Sequence, residues 1–145
     1  MWVRPSAAKR CCFFSAVQGS DYKGMAAAVM ANGTIRFYAG TGSAWPVLDT
    51  TTPTIPLNQW THVAITKQGL VVRAFIGGQL AGQITLPAQL VPSTTGTAMI
   101  GRDLGEAGTA RDFQGWIDDF RYTDGVCRYT ATFTPPVAPY PDGGL

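Results

Sequence analysis

Three strand-length segments joined by very short turns dominate the middle of this 145-residue sequence. They run over Trp60–Lys67, Leu70–Ile76 and Gln79–Leu86, and the turns between them are Gln68-Gly69 and Gly77-Gly78. Turns this short bring a chain straight back beside itself, which only antiparallel neighbours allow. The pattern therefore predicts a three-stranded antiparallel meander.

Further segments of strand length lie on both sides of the meander. Asn32-Gly33 is the strongest hairpin signal in the chain, because both residues readily take the positive φ angles of a tight turn. No segment has the period of an amphipathic helix. The other predicted strands are Met1–Pro5, Arg10–Val17, Gly24–Ala31, Thr34–Ala39 and Thr97–Gly101, with one more that begins at Phe113.

Strands with one apolar face need a second sheet to cover that face, so the predicted fold is an all-β, two-sheet antiparallel sandwich. A jelly roll and an immunoglobulin-like sandwich both satisfy the pattern, although the Cys–Trp–Cys spacing of the latter is absent. The predicted domain covers residues 1–136, and a Pro- and Gly-rich tail covers 137–145. Gly40–Asn58, rich in Thr, Ser and Pro, is predicted to be a long loop.

Charge and hydropathy argue against two classes of partner. The net charge is +2, and the Lys and Arg residues are scattered singly, so the chain lacks the basic patch that nucleic-acid binding needs. No apolar run approaches the roughly 20 residues of a membrane-spanning helix, so membrane insertion is not expected.

The three cysteines and the histidine have structural interpretations. Cys11 and Cys12 are adjacent in a predicted strand, so their side chains point to opposite faces and are badly placed to bridge each other. Cys127 stands alone, and we predict that all three are small packed residues. His62 has no nucleophile in a catalytic motif beside it and is predicted to be packed and hydrogen-bonded.

Phe113–Pro136 combines aromatic density with clear breaks. It begins as a strand rich in aromatic residues, turns at Thr123-Asp124-Gly125 and ends at Pro135-Pro136. Bulky apolar groups on both faces predict a strand near the middle of the sandwich and not a solvated edge. Trp116 in this strand and Trp60 in the meander are therefore predicted to lie in the core.

Three segments together carry a family resemblance. They are WTHVAITKQG (Trp60–Gly69), VVRAFIGGQLAG (Val71–Gly82) and FQGWIDDFRYTDGVCRYTATFTPP (Phe113–Pro136). In this order and spacing they resemble the laminin-G-like, concanavalin A-like lectin/glucanase domains. The last segment is most similar to the version found in bacteriophage virion and tail-associated proteins. The resemblance implies a jelly-roll sandwich of two curved antiparallel sheets, a fold that hosts lectins, hydrolases, adhesins and structural modules.

Members of that family usually carry one or more strands before the position of Met1. The resemblance therefore implies that the first N-terminal strand of the jelly roll is missing and that the sheet edge beside Met1–Pro5 is uncovered. Because an uncovered edge pairs readily with another chain, we expect oligomerisation or a virion partner to close it.

Catalysis of the kind found in the family's glycoside hydrolases is not expected. Those enzymes direct two glutamates and an aspartate into a cleft, whereas this chain has one glutamate, Glu106, in a Gly-flanked loop. Asp118 and Asp119 are adjacent on a predicted strand and would project to opposite faces. The resemblance instead implies that Asp118 is a ligand of a structural calcium ion. The alternative is a salt bridge with Arg121 or Arg128, or the capping of a turn.

Aromatic residues in loops are the candidates for carbohydrate binding, because their rings stack on the faces of pyranoses. Trp45 lies in the long loop and Tyr22 in the first polar loop, with Asp49 and Asn58 as polar neighbours in the sequence. The alternative for Trp45 is that its apolar area pins the long loop to the sandwich.

These features predict a non-catalytic structural or binding module. The first hypothesis is a phage virion-associated protein, a capsid decoration or tail component, that works through contacts with its own copies or with other virion subunits. The alternative is a lectin-like module that binds host-surface glycans. The expected location is the virion, or otherwise the extracellular medium or a cell surface. No cofactor is required, and calcium at Asp118 is the single metal considered.

Overall fold

Ten strands make up the two sheets of the described chain. The computed structural model describes residues 1–18, 21–94, 97–105 and 108–138. The strands are β1 (Trp2–Pro5), β2 (Cys11–Gln18), β3 (Lys23–Val29), β4 (Ile35–Ala39), β5 (Val47–Asp49), β6 (Thr61–Gln68), β7 (Val71–Ile76), β8 (Gln79–Thr85), β9 (Met99–Ile100) and β10 (Gly115–Asp118). Sheet A has the order β10-β1-β6-β7-β8, and sheet B has the order β5-β4-β3-β2-β9. Neighbouring strands are antiparallel in both sheets, which confirms the all-β, two-sheet sandwich.

Sheet A contains the predicted meander. β6, β7 and β8 are neighbours, with Val63 opposite Ile76 in the first pair and Ala74 opposite Gly82 in the second. Side chains alternate between the two faces of a strand, so Ala74 and Ile76 face the core while Phe75 faces outward. The turn spacing in the sequence was therefore sufficient to predict these three strands and their order.

The hairpin at Asn32-Gly33 joins β3 and β4, as predicted. Met30 N–H donates to Thr34 O at 2.8 Å, and Gly33 N–H donates to Met30 O at 2.9 Å. Gly33 has φ 80°, and a Cβ there would lie 2.5 Å from the carbonyl oxygen of Ile55. Both the backbone angle and the segment packed against the turn therefore require glycine.

β1 lies inside sheet A, between β10 and β6. Trp2 is opposite Asp118 on one side and opposite His62 on the other. The prediction of an uncovered edge beside Met1–Pro5 is therefore wrong. The C-terminal strand β10 returns to pair with β1 and occupies the place that we expected to be open.

Close approach of β10 to β1 depends on Gly115. This residue has φ 139°, and a Cβ on it would lie 2.1 Å from the carbonyl oxygen of Arg4 and 2.9 Å from the Cα of Pro5. A residue without a side chain is needed there, so the pairing at this end of the sheet depends on one position.

β10 is a four-residue edge strand and not the interior strand predicted from Phe113–Pro136. Trp116 is 53% exposed and Trp60 is 45% exposed, so the prediction that both lie in the core is wrong. The strand ends at Asp118, and Asp119 adopts φ 50°, which is incompatible with an extended backbone. A composition rich in aromatic residues indicates that a segment forms a strand. It does not show whether another segment covers a given face of that strand.

Part of the predicted loop Gly40–Asn58 is a strand, because β5 forms the edge of sheet B beside β4. Beyond β5, Thr50 Oγ1 accepts the N–H of Ile35 in β4 at 2.8 Å. The next residue, Thr51, donates its N–H to Ala81 O in β8 at 3.1 Å. This segment therefore bonds to both sheets and closes one side of the sandwich.

The core lies between the two sheets and is built from the inward-facing residues of both. Its strand residues follow the alternation that period-2 patterning requires. The buried core residues are Val3, Cys11, Phe13, Ala27, Val29, Ile35, Phe37, Ala39, Leu48, Ile55, Val63, Val72, Ala74, Ile76, Ala81 and Leu86.

A loop covers the outer face of sheet B over β2. Leu104 N–H donates to Ser15 Oγ at 3.1 Å. The buried carboxylate of Asp103 lies 3.3 Å from a guanidinium nitrogen of Arg10 and 3.8 Å from one of Arg111. Two cations therefore compensate the charge that this loop buries against the sheet.

The C-terminal segment covers one end of the outer face of sheet A. Tyr129 O accepts a hydrogen bond from Thr66 Oγ1 at 2.8 Å, and Phe133 N–H donates to Gly78 O at 2.9 Å. The rings of Tyr129 and Phe133 stack with centroids 3.6 Å apart, and both contact Phe75, whose side chain is fully buried. These residues form an aromatic cluster outside the main core.

His62 is enclosed by the same segment. Its ring is edge-on to Trp2 at 5.4 Å and to Phe133 at 5.6 Å, and the residue is 1% exposed. Burial lowers the pKa of His62 to about 4, so the imidazole is neutral at pH 7. This environment agrees with the packed, structural role that the sequence predicts.

Candidate functional site

Two of the predicted carbohydrate-binding residues meet at one end of sheet B. The rings of Tyr22 and Trp45 have centroids 6.3 Å apart and planes inclined at 48°. Tyr22 is 43% exposed and Trp45 is half-buried. They come from different loops, and we call the surface formed by this ring pair the Tyr22–Trp45 notch.

A set of backbone hydrogen bonds holds the loops beneath this notch. Gly42 N–H donates to Tyr22 O at 2.8 Å, and Gly40 N–H donates to Gly24 O at 2.8 Å. A third loop joins through Val91, which donates to Gly40 O at 2.8 Å and accepts from Gly24 N–H at 2.7 Å. Three loops are therefore locked together without any side-chain contribution.

Glycine is required where these loops cross. A Cβ on Gly40 would lie 2.3 Å from Tyr22 O, and one on Gly24 would lie 1.8 Å from Ala16 O. Gly24 also has φ 93°. The glycines let the backbones approach closely enough to bond, so the position of Tyr22 is set by main chain.

The turn that carries Trp45 is fixed in the same way. Thr41 N–H donates to Ala44 O at 3.0 Å, and Thr41 Oγ1 contacts the same oxygen at 3.2 Å. Directly after the tryptophan, Pro46 O accepts the N–H of Ala39 at the end of β4 at 3.0 Å. Trp45 is therefore part of an ordered turn, which fits both the binding interpretation and the loop-pinning alternative.

Two charged residues beside Tyr22 were not among the predicted site residues. Asp21 and Lys23 lie on either side of Tyr22, with Asp21 Oδ2 and Lys23 Nζ 3.9 Å apart. Carboxylate and ammonium groups are the acceptors and donors that sugar hydroxyls use. Their adjacency to Tyr22 in the sequence was the available signal.

Asp49 does not join the notch. It lies on β5 opposite Arg36 of β4, and the guanidinium binds its two oxygens at 2.6 and 2.7 Å. Hydrogen bonds from Arg36 lower the pKa of Asp49, and those to Asp49 raise the pKa of Arg36. The carboxylate is therefore used in a two-hydrogen-bond pair on the outer surface of sheet B.

Asn58 lies at the opposite end of the sandwich from the notch. Its N–H donates to Pro5 O at 2.8 Å, and its carbonyl accepts from Arg4 Nε at 3.1 Å. The chain reaches this end because Ile55 bonds to Gly33, at the far end of β4 from Trp45. Tyr22 and Trp45 therefore meet, while Asp49 and Asn58 are placed elsewhere.

A shallow cavity of about 270 Å³ also opens at the Asn58 end. Its lining is made of small, aliphatic and neutral polar residues, among them Ala7, Asn32 and Leu57. Because no ionisable side chain is among its lining residues, the cavity offers no acid, base or ligand for chemistry.

Asp118 ends the edge strand β10 and is exposed. Its Oδ1 accepts the N–H of Asp119 at 2.8 Å, which is the turn-capping geometry considered as an alternative to calcium. Within the ranges that the structure describes, no three His, Cys, Asp or Glu residues group as metal ligands. Since calcium takes six to eight oxygens, Asp118 would need backbone carbonyls and water for the remainder, and calcium there stays a proposal.

The structure describes all but one of the residues that were considered for catalysis. The sequence suggested that Asp118 and Asp119 are consecutive strand residues. In the structure β10 ends at Asp118, so Asp119 lies outside the strand. Burial raises the pKa of the Cys12 thiol to about 12, so it is not a nucleophile at neutral pH. Glu106 lies outside the described residues.

All three cysteines are free, and two of them are packed as predicted. Cys11 and Cys12 are buried, and Cys127 is half-buried beside Tyr129. Among the described residues, no helix is long and apolar enough to cross a membrane.

Comparison with protein families shows to which family the chain is related, which the geometry alone does not establish. A laminin-G family model, described as concanavalin A-like lectin/glucanases superfamily, matches residues 1–134. The chain belongs to this superfamily. The match confirms the family part of the resemblance carried by Trp60–Gly69, Val71–Gly82 and Phe113–Pro136. Comparison with curated protein sequences found no significant match.

Among the solved structures that match, a pentraxin shows the same fold. A native heptameric SAP-like pentraxin from Limulus polyphemus matches with TM-score 0.53 and 19% identity, over 79% of this chain and 57% of the pentraxin chain. An S-layer domain-containing protein from Clostridium thermocellum matches with TM-score 0.43 and 24% identity, over 86% of this chain and 61% of that chain. The chain thus spans about three-fifths of the length of these solved chains. Together with the family match, the pentraxin likeness identifies the sandwich as a jelly roll, which removes the immunoglobulin-like alternative.

Proposed function

We propose that this protein is a non-catalytic, lectin-like module that binds glycans at the Tyr22–Trp45 notch. The observation that carries the proposal is the meeting of two aromatic rings from separate loops, 6.3 Å apart on a backbone locked by hydrogen bonds. A pyranose in the notch would bury its apolar face against the rings, while Asp21 and Lys23 accept from and donate to its hydroxyls. Membership of a superfamily of lectins and glucanases supports this choice of ligand.

The proposed module binds without reacting. The family's glycoside hydrolases direct two glutamates and an aspartate at one bond, and the chain contains a single glutamate. The thiol of Cys12 and the imidazole of His62 are buried and neutral at pH 7, which leaves neither available as a nucleophile or acid. Incubation with a bound oligosaccharide should therefore return it uncleaved.

The experiment is binding to an immobilised glycan panel, with wild type, Trp45→Ala and Tyr22→Ala side by side. We expect both variants to lose about tenfold in affinity, since aromatic stacking contributes about 0.5–1.5 kcal/mol beyond the buried area and tenfold is about 1.4 kcal/mol. Leu80→Ala, an exposed position in β8, is the matched control and should bind as wild type does. Undiminished glycan binding by a folded Trp45→Ala variant would refute this site.

A second candidate is a phage virion-associated structural module that works through contacts between copies or with other virion subunits. Its support is the similarity of Phe113–Pro136 to phage virion and tail-associated proteins, together with the heptameric assembly of the pentraxin of similar fold. The contact cannot use the edge beside Met1–Pro5, because β10 and β6 already pair there. The location proposed for either function is the virion, or otherwise the extracellular medium or a cell surface.

Light scattering across a concentration series tests this second candidate. Stable self-association, with or without glycan binding, would support assembly as the function. A well-folded species that stays monomeric at every concentration, and that binds glycans through Trp45, would leave the lectin-like function alone.

A further inference from the structure

An arginine of sheet A is paired with an exposed tryptophan, and a second exposed tryptophan lies just before β6. Arg4 of β1 is opposite Trp116 of β10. On its other side, β1 pairs with β6 through Trp2–His62 and Val3–Thr61, and Trp60 directly precedes Thr61. Alternation puts the Arg4 and Trp116 side chains on the outer face, and together with the exposed Trp60 we call them the Trp60–Arg4–Trp116 row.

The row is ordered, although it is exposed. The guanidinium carbon of Arg4 lies 4.9 Å from the centroid of the Trp116 ring, and Arg4 Nε donates to Asn58 O at 3.1 Å. These two contacts fix the planar group at one place on the sheet. Trp116 and Trp60 nevertheless keep 53% and 45% of their surface in solvent.

The charge of Arg4 is not neutralised within the part of the chain that the structure describes. The ion pairs found there join other residues, namely Arg10 and Arg111 with Asp103, Lys23 with Asp21, and Arg36 with Asp49. The terminal nitrogens of Arg4 therefore remain available to an outside acceptor, and a guanidinium binds a carboxylate through two parallel hydrogen bonds.

We propose that the Trp60–Arg4–Trp116 row binds an acidic saccharide, with a uronate-type carboxylate on Arg4 and sugar rings against the two tryptophans. The outer strands of the row are two strand spacings apart, roughly 10 Å, which suits a chain of two or three sugar units laid across the sheet. The cation separates the two apolar side chains, so they do not form the continuous apolar patch typical of a protein interface. This surface belongs to sheet A and is independent of the notch on sheet B.

The test measures binding of oligogalacturonate, with neutral dextran oligosaccharides as the uncharged control, by calorimetry at low and high salt. Wild type should bind the acidic oligosaccharide and weaken as salt rises, because the contact is partly ionic. Arg4→Gln and Trp60→Ala should each lose about tenfold or more, a change of about 1.4 kcal/mol. Arg4→Lys keeps the charge but lacks the planar fork, so its affinity should lie between those of wild type and Arg4→Gln.

Leu80→Ala is the matched control, because it removes an exposed apolar side chain of β8 that belongs to neither the row nor the notch. It should bind oligogalacturonate as wild type does. Loss of binding in Trp45→Ala, but not in the Arg4 and Trp60 variants, would place the saccharide in the notch and overturn the row. Trp60 lies just before β6, outside the paired strands, so its substitution should not disturb strand pairing. The Trp60→Ala variant therefore still tests the row if an Arg4 substitution perturbs β1.

Three other results would also overturn the proposal. One is an absence of saturable oligogalacturonate binding by folded wild type. Another is equal affinity for the acidic and neutral oligosaccharides, which would show that Arg4 does not select charge. The third is loss of self-association, and not of saccharide binding, in the Arg4 and Trp60 variants, which would make the row an interface between protein chains.

Discussion

The outer face of sheet A is covered at one end, over β6 and β7, and open at the other, beside β1 and β10. At the covered end, Phe75 and His62 lie beneath Phe133 and are 0% and 1% exposed. At the open end, Trp60 and Trp116 keep about half of their surface in solvent. The difference comes from the C-terminal segment, whose described residues cover the first end through Phe133.

This contrast shows that aromatic residues of similar strand propensity serve two purposes here. Under the C-terminal segment they form an edge-on and stacked cluster that holds the segment to the sheet. On the open end they are presented around a cation, where their loss should affect binding more than folding. Substitutions at the two ends should therefore separate stability from recognition.

The largest expected effect is at the covered end. Phe75→Ala should lower the free energy of unfolding by about 3–5 kcal/mol, because it removes a fully buried ring and leaves a cavity beneath Tyr129 and Phe133. Trp116→Ala, the matched change at the open end, should cost less than about 1 kcal/mol. Urea denaturation of the two variants measures both values, and similar losses would mean that the ends are not energetically distinct.

The next effect is a pH dependence confined to the covered end. The pKa of His62 is about 4 in the folded protein, against 6.5 for a histidine in water, so the unfolded state binds more protons between these values. Stability should therefore fall as the pH is lowered from 6.5 to 4, by at most roughly 3 kcal/mol.

Replacement of the imidazole isolates this contribution. His62→Phe keeps a ring between Trp2 and Phe133 but cannot titrate, so its unfolding free energy should depend less steeply on pH in that window. The comparison is between denaturation curves of wild type and variant at pH 7 and near pH 4.5. Parallel losses in both proteins would assign the acid sensitivity to other groups.

A smaller effect is expected where the open end is attached. Gly115→Ala should destabilise the protein by about 2 kcal/mol, because a Cβ would lie 2.1 Å from Arg4 O and the backbone has φ 139°. Gly125→Ala is the control, with φ 76° but no atom within 4 Å of the added Cβ, and should cost about 1 kcal/mol. Thermal unfolding would show the difference, and an unperturbed Gly115→Ala would mean that β10 can shift away from β1 freely.

The smallest expected effect concerns calcium beside the open end. Because the described residues gather no group of three acidic or other metal-binding side chains, addition of calcium or of a chelator should leave the melting temperature unchanged. A calcium-dependent rise that disappears in Asp118→Asn would instead establish the structural site that the family resemblance suggests.

Much of the fold followed from local patterns. The Gln68-Gly69 and Gly77-Gly78 turns set the meander, and Asn32-Gly33 set the hairpin between β3 and β4, because tight turns determine which strands become neighbours. The short strand β5 was missed inside Gly40–Asn58, since three residues with a Pro-rich surrounding carry almost no periodic signal.

The candidate site was predicted only in part. Tyr22 and Trp45 were chosen because they are aromatic residues in loops, and the structure places them together. Asp49 and Asn58 were chosen as neighbours in sequence, but strand pairing with Arg36 and the bond to Pro5 take them elsewhere. Proximity along an extended chain does not persist once the chain turns through two sheets.

By itself, the sequence determined the strands, the tight turns and the alternation that fills the core, because these depend on residues close together in the chain. Only the tertiary structure decided that β10 pairs with β1, that Trp60 and Trp116 remain exposed, and that Tyr22 meets Trp45. Each of these depends on contacts between residues far apart in sequence. The physical reason is that a strand's own residues specify its two faces, whereas distant segments decide which of those faces is covered.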